Sequence, residues 1–219
     1  MPAVASQGEL AASGPTAADI AELRNIADAG NARAQFLLGG LYYHGEGVPQ
    51  DLAEAARLYR LAADQGNADA QNAIGFQYLQ GLGVARDDAQ AAYWFGKAAE
   101  QRHPGAQTNL GRLYFSGRGV TRDVAEAARL FKLASEQGVP QAQRMLGLLY
   151  ATSPDLGRSK LFAYMWADIA ARADPKLATT RDAIANPLVG SPMPAAEVKA
   201  AQALADRCIA RKFDRCEDG

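Results

Sequence analysis

"LYYHGEGVPQDLAEAARLYRLAADQG", residues 41–66, sets two glycines and a proline directly against an alanine-rich stretch with helical spacing. Ala34, Leu38 and Tyr42 lie at i, i+4 and i+8, a helical stripe that predicts a helix over 34–43. Gly45-Glu46-Gly47-Val48-Pro49 cannot continue it, because glycine supplies positive φ and proline removes a backbone donor, so the chain must turn. Asp51 with Glu54 three residues later has the form of a capping box and predicts a second helix, carrying Ala55, Leu58, Tyr59 and Ala62 and stopped by Gly66.

The pattern returns as "GFQYLQGLGVARDDAQAAYWFGKAAEQR" and again as "GRLYFSGRGVTRDVAEAARLFKLASEQG". Ala34, Ala70, Ala106 and Ala142 share one phase, 36 residues apart; Gly39, Gly75, Gly111 and Gly147 share another, as do Tyr42, Tyr78, Tyr114 and Tyr150. Asp87 with Gln90 and Asp123 with Glu126 repeat the box, and Gly138 repeats the stop, which Arg102 replaces in the second copy. Self-similarity at this period means stacked helix hairpins, each burying its apolar face only against its neighbours. The small residues then permit close helix approach and the aromatics fill the gaps between hairpins.

With 219 residues, 48% hydrophobic and 21% charged, the chain can build a substantial core. Its formal net charge of -1 gives no bulk field for nucleic acid or an anionic membrane. No apolar run approaches the roughly 18 residues of a membrane span. The amino terminus lacks a basic region followed by an apolar block, although Ala3-Val4-Ala5 has the small-x-small form that signal peptidase prefers. It reads either as an alanine-rich flexible tail or as the remnant of an export signal.

Candidates for chemistry are few. His44 and His103 stand in no metal-ligand spacing, and no nucleophile elbow occurs. Asp87-Asp88 reads as a cap and its neighbour rather than an acid–base pair, since adjacent residues point to different sides of a helix start. Gly45-x-Gly47 follows a helix and lacks the third glycine and preceding strand of a dinucleotide fingerprint. The expectation is a protein with no catalytic residue, no metal and no cofactor.

Ala34, Leu38-Gly39, Tyr42, Gly45-x-Gly47-Val48, Asp51, Ala55, Tyr59, Ala62-Ala63 and Gly66, with their following copies, resemble the Sel1-like repeats, a branch of the tetratricopeptide-like helical solenoids. The resemblance implies an all-α fold, a right-handed α-α superhelical solenoid. It divides the chain into a flexible tail (1–18), a leading half-repeat helix (19–33) and four repeats (34–69, 70–105, 106–141, 142–171). A capping segment (172–219) follows. The fourth copy departs from the pattern at Ser153, Asp155 and Ser159. The last segment is similar to the closing segment of bacterial members of the family. Pro192 and Pro194 with the stripe Val198, Ala201 and Ala205 place its helix at about 194–211, over the last hairpin.

Cys208 and Cys216 are the only cysteines. On one continuous helix they would lie about 12 Å apart, so a bond between them requires the chain to fold back after about Arg211. Exported relatives carry such a pair in the closing segment. A disulfide implies an oxidising compartment, periplasmic or secreted; two free thiols in a cytoplasmic chain are the alternative.

If Leu38, Gly39 and Tyr42 face the core, a 100° step per residue puts positions 36, 40 and 43 on the opposite side. In the four copies these are Phe36, Gly40 and Tyr43; Asn72, Phe76 and Leu79; Thr108, Arg112 and Phe115; and Arg144, Leu148 and Ala151. They do not repeat, as expected where a scaffold is fixed and a binding face is individual. The resemblance to tetratricopeptide folds implies a concave groove for a protein or peptide here. Tyr43, Phe76 and Phe115 would be apolar anchors, Asn72 a clamp on peptide backbone, and Arg112 and Arg144 partners for carboxylates. The function expected is a monomeric, non-enzymatic adaptor. Cysteine-rich relatives linked to β-lactam binding or hydrolysis give the alternative, but they carry a cysteine pair in every repeat, and these repeats have none.

Overall fold

A computed structural model describes residues 14–153, 156, 160–187 and 191–217. Eleven α-helices occur among them and no strand. The chain divides into two compact bodies, one ending at Gln101 and the other beginning at Arg102. The remnant Ala3-Val4-Ala5 and the departures Asp155 and Ser159 lie outside the described residues.

The first body holds α1 (Ala17–Asp28), α2 (Ala32–His44), α3 (Leu52–Asp64), α4 (Ala68–Gln80) and α5 (Asp88–Glu100). α2 pairs with α3 and α4 with α5 as hairpins, and α3 packs on α4. The expected tail gives way to helix two residues before Asp19. Thr16 caps α1 with a complete box, its hydroxyl accepting from the Asp19 N–H at 3.2 Å and the Asp19 carboxylate accepting from the Thr16 N–H at 2.9 Å.

The boxes expected at the other helix starts form only by half. Asp51 Oδ1 accepts from the N–H groups of Ala53 and Glu54 at 3.0 and 2.9 Å, and Asp87 does the same for Ala89 and Gln90. The return bond is missing because the cap's own N–H is already used across the hairpin: Asp51 donates to the Tyr42 carbonyl, Asp87 to Tyr78 and Asp123 to Tyr114. Glu54 and Glu126 turn instead to Arg57 and Arg129 on their own helices.

Each glycine of the shared phase sits where the paired helix leaves no room for a β-carbon. A β-carbon on Gly39 would come within 2.8 Å of the Tyr59 ring, on Gly75 within 2.9 Å of Phe95 and on Gly111 within 2.9 Å of Phe131. The turn demands glycine for a different reason, since Gly45 ends α2 in the left-handed region at φ 72°. Arg102, replacing the helix-stopping glycine, adopts the same region at φ 64°.

The second body holds α6 (Pro104–Ser116), α7 (Val124–Ser135), α8 (Pro140–Thr152), α9 (Lys160–Ala173), a 3-10 turn (Pro175–Leu177), α10 (Ala178–Ala185) and α11 (Ala195–Ala210). α6 pairs with α7 and α8 with α9. Ser153 ends α8 at φ -125°, outside the left-handed region that glycine takes in the other copies. α9 is enclosed on nearly every side: Met165, Trp166, Ala167 and Ala170 are wholly buried. α11 supplies the cover, with Ala201, Ala205 and Cys208 buried against the same core as α9. The expected capping helix is therefore in place. Past Arg211 the chain folds back, and Cys208 and Cys216 are joined by a disulfide with Cα atoms 4.7 Å apart.

Buried charge is compensated in this body. Asp168, 3% exposed, lies 2.7 Å from the Arg172 guanidinium and 3.6 Å from that of Arg181.

Candidate functional site

The first helix of each hairpin carries the variable positions, and their outward pose depends on how firmly its other side is anchored. A buried glutamine provides much of that anchor. Gln35 Nε2 donates to the Ala27 carbonyl and Gln71 Nε2 to that of Ala63, both at 3.1 Å, tying each first helix to the end of the helix before it. Their Oε1 atoms accept from Gln65 and Gln101 at 2.7 and 2.8 Å. In the second body Gln107 accepts from Gln137 at 2.8 Å, and Gln143 donates to the Ser135 carbonyl at 3.3 Å. Gln143 Oε1 has no partner among the described residues; Ala173 occupies the position where the earlier copies have the donor glutamine. Sequence reasoning missed these residues, although Gln35, Gln71, Gln107 and Gln143 keep the 36-residue phase as strictly as the alanines do.

On the variable side of the first body, Phe76 is the most open apolar group, 39% exposed. Asn72 and Leu79 flank it on α4, both half-buried. Phe36 and Tyr43 on α2 are also half-buried; the Phe36 ring lies 5.7 Å from that of Tyr59, and the Tyr43 ring meets His44 edge-on at 5.0 Å. Tyr59 beneath them is pushed up to about 12, chiefly by burial of its phenol and secondarily by Tyr43.

On the variable side of the second body, Arg112 is exposed and Phe115 half-buried against the core. Arg144 is half-buried, its Nη2 at 3.5 Å from Met145 Sδ and its Nε enclosed with no hydrogen-bond acceptor among the described residues. Thr108 does not reach the open side: it is 7% exposed, and its hydroxyl donates to the Pro104 carbonyl at 2.9 Å. A cavity of about 570 Å³ lies beside Leu148 and Ala151 of the same phase, walled by Ala183, Ile184 and Pro187 with Lys160 at one side.

His103 and the Asp87-Asp88 pair have structural roles. His103 Nδ1 accepts from the Ala106 N–H at 3.1 Å, the cap that Asn31 and Asn67 provide in earlier copies. The carboxylate of Asp88 is turned to Arg86, away from the capping role of Asp87. No group of three or more His, Cys, Asp or Glu that could hold a metal occurs among the described residues, and no helix there is long and apolar enough to cross a membrane. A second small cavity, about 230 Å³, lies on the second-helix side of the first body, between Gln71, Tyr93, Trp94 and Lys97. There the Arg60 guanidinium stacks 4.9 Å over Trp94, and Tyr93 is 53% exposed.

Helix hairpins recurring every 36 residues, tied by the same alanine, glycine and glutamine positions, define a helical-repeat solenoid. The Sel1 repeat model matches residues 32–67, 68–103, 104–139 and 140–175, and the chain belongs to the Sel1 repeat family. A Sel1 repeat protein from Oxalobacter formigenes is 30% identical, with a TM-score of 0.68 over 87% of this chain and 79% of that one. The protective antigen c5321 of uropathogenic Escherichia coli strains, which displays an SLR fold, is 38% identical with a TM-score of 0.66. That match covers 71% of this chain and 33% of the antigen, so the chain spans about a third of the antigen's length. No curated protein matches the chain. Members of the family are commonly protein-interaction modules.

Proposed function

We propose that this chain is a non-enzymatic adaptor that binds a protein or peptide on the variable side of the first helices in each body. The observation that carries the reading is the contrast within one helix: in α4 the repeating positions Ala70, Ile74 and Gly75 are buried, while Phe76 beside them is open to solvent. An exposed aromatic on a rigid, preorganised helix offers contact area at little ordering cost. Tyr43, Phe76, Leu79 and Phe115 serve as apolar contacts and Asn72 as a backbone clamp. Arg112 and Arg144, the second with an enclosed guanidinium nitrogen that has no acceptor among the described residues, receive carboxylates. Phe36, partly covered by Tyr59, contributes an edge. Thr108, enclosed and bonded within its own helix, positions α6 rather than touching a ligand. The chain acts as a monomer, in a periplasmic or secreted setting that the disulfide supports.

The test is a displayed-peptide selection on the wild type, repeated with the Phe76→Ala, Arg112→Ala double variant. The selected peptides should lose binding to the variant by tenfold or more while its melting curve stays within a degree or two. Unchanged binding, or turnover of a β-lactam reporter by the purified protein, overturns the adaptor reading.

A further inference from the structure

The carboxyl-terminal turn returns into the core of the second body. α11 ends at Ala210, and Lys212, Phe213 and Arg215 then take φ values of 53°, 67° and 47°, a left-handed conformation that β-carbons disfavour. Three things hold this turn. Local backbone bonds continue the helix end, such as Phe213 N–H to the Cys208 carbonyl. The Phe213 ring covers Gly138, where a β-carbon would meet it at 3.1 Å. The disulfide closes the loop.

The next residue is Glu217, whose side chain is 2% exposed. Its carboxylate accepts from Tyr150 Oη and from Trp166 Nε1, both at 2.9 Å, and pairs with Lys132 Nζ at 3.4 Å. Three successive helices, α7, α8 and α9, thus each aim one donor at a single carboxylate. Trp166 is 0% exposed, so its indole N–H has no access to bulk water and needs an acceptor where Glu217 sits, while Tyr150 beside it is 7% exposed. A phenol, an indole and an ammonium around a buried pocket form a carboxylate receptor, and the chain fills it itself.

We propose that the Cys208–Cys216 disulfide is a redox-sensitive latch that keeps Glu217 in a carboxylate receptor built by Lys132, Tyr150 and Trp166, and that reduction by an external dithiol opens this receptor to a carboxylate from outside the chain. The exchange balances. A thiolate of the dithiol attacks Sγ of Cys216, the more exposed of the pair at 7% against 1%. The S–S bond breaks toward Cys208, which leaves as thiolate and takes a proton. The second thiol of the dithiol then displaces Cys216, so two electrons and two protons pass to the protein and the dithiol leaves as a cyclic disulfide. Loop closure is thereby lost. Residues beyond Arg211 become a tether, and the high effective concentration of Glu217 at the receptor falls.

The full chain with Trp94→Phe leaves Trp166 as the sole tryptophan. Reduction with dithiothreitol should shift its emission and speed amide exchange at residues 212–217 by tenfold or more. In the oxidised Glu217→Ala chain the emission should already be shifted, and acetate should reverse the shift there and in the reduced chain, while leaving the oxidised parent unchanged. Slow exchange and unaltered emission after complete reduction overturn the latch, since the turn then holds itself. Acetate without effect on both opened forms overturns the receptor. The reduction experiment needs no substitution at Glu217, so a poorly folding variant does not leave the latch undecided. Neither arm depends on the adaptor reading.

Discussion

A β-carbon placed on Gly75 meets the wholly buried Phe95 ring at 2.9 Å, whereas one placed on Gly96 meets nothing within 4 Å. Both glycines are in helices, so alanine gains about 1 kcal/mol of helix propensity at either. Overpacking at position 75 costs about 1–3 kcal/mol and outweighs that gain. Gly75→Ala should lower the denaturant midpoint and Gly96→Ala raise it; the opposite order would contradict the packing account. The buried glutamines give a second contrast. Gln71→Leu removes two bonds, one to the Ala63 carbonyl and one from the Gln101 amide, each of which keeps a second partner at Gly66, and should cost about 1 kcal/mol; Gln143→Leu loses a single bond, to the Ser135 carbonyl, and should cost less. The glycine phase was legible in the sequence because a missing side chain at a fixed period points to contact. The glutamines were not, because a polar residue on a helix reads as solvated until its two partners are known. Tyr59 adds a pH effect. Its phenol, raised from about 10 to about 12 by burial, must stay neutral in the folded state. Its contribution is complete below the unfolded value near 10 and is lost as pH rises toward 12. A spectrophotometric titration should show a delayed tyrosine that disappears in Tyr59→Phe.

At the scale of the helix, the starts decide the hairpin register. Asp87 satisfies two backbone donors of α5 and sends its own N–H to the Tyr78 carbonyl, so one residue caps the second helix and ties it to the first. Asp87→Ala should cost about 1 kcal/mol, read from chemical denaturation, and Gln90→Ala nearly nothing because Gln90 makes no return bond. The sequence pattern of acid followed three residues later by Glu or Gln marked every one of these starts correctly. It could not show that the second half of each box is unused, since the competing acceptor belongs to the preceding helix. His103 shows the same limit: its role as a cap follows from sharing a phase with Asn31 and Asn67, a reading available only once the helix start was located.

At the scale of the whole molecule, the stripe Val198, Ala201 and Ala205 was enough to place a covering helix, and α11 buries the latter two against the core of α9. Ala205→Glu puts a carboxylate where exposure is 0%, and α11 should detach. Limited proteolysis should then cut first between residues 185 and 210; a digestion pattern like the parent's would count against α11 as the cover. For the variable positions, the periodicity predicts that they turn away from the core but not how open each one is. Phe76 and Arg112 are exposed as that phase requires, while Thr108 is drawn back onto its own helix by a hydroxyl bond that spacing alone cannot reveal. Glu217 was invisible for a different reason, since it belongs to no repeat and meets donors 51, 67 and 85 residues away.

The glutamine relays join residues 30 positions apart, less than the 36 that separate one copy from the next. Every such tie therefore closes over a span shorter than the period. Duplication or loss of a whole 36-residue block by recombination would leave the surviving ties intact, whereas a shift of a few residues would sever them. Copy number in such a lineage can change in whole steps without inventing a new core, and folding can proceed through short-range closures rather than waiting for distant segments to meet.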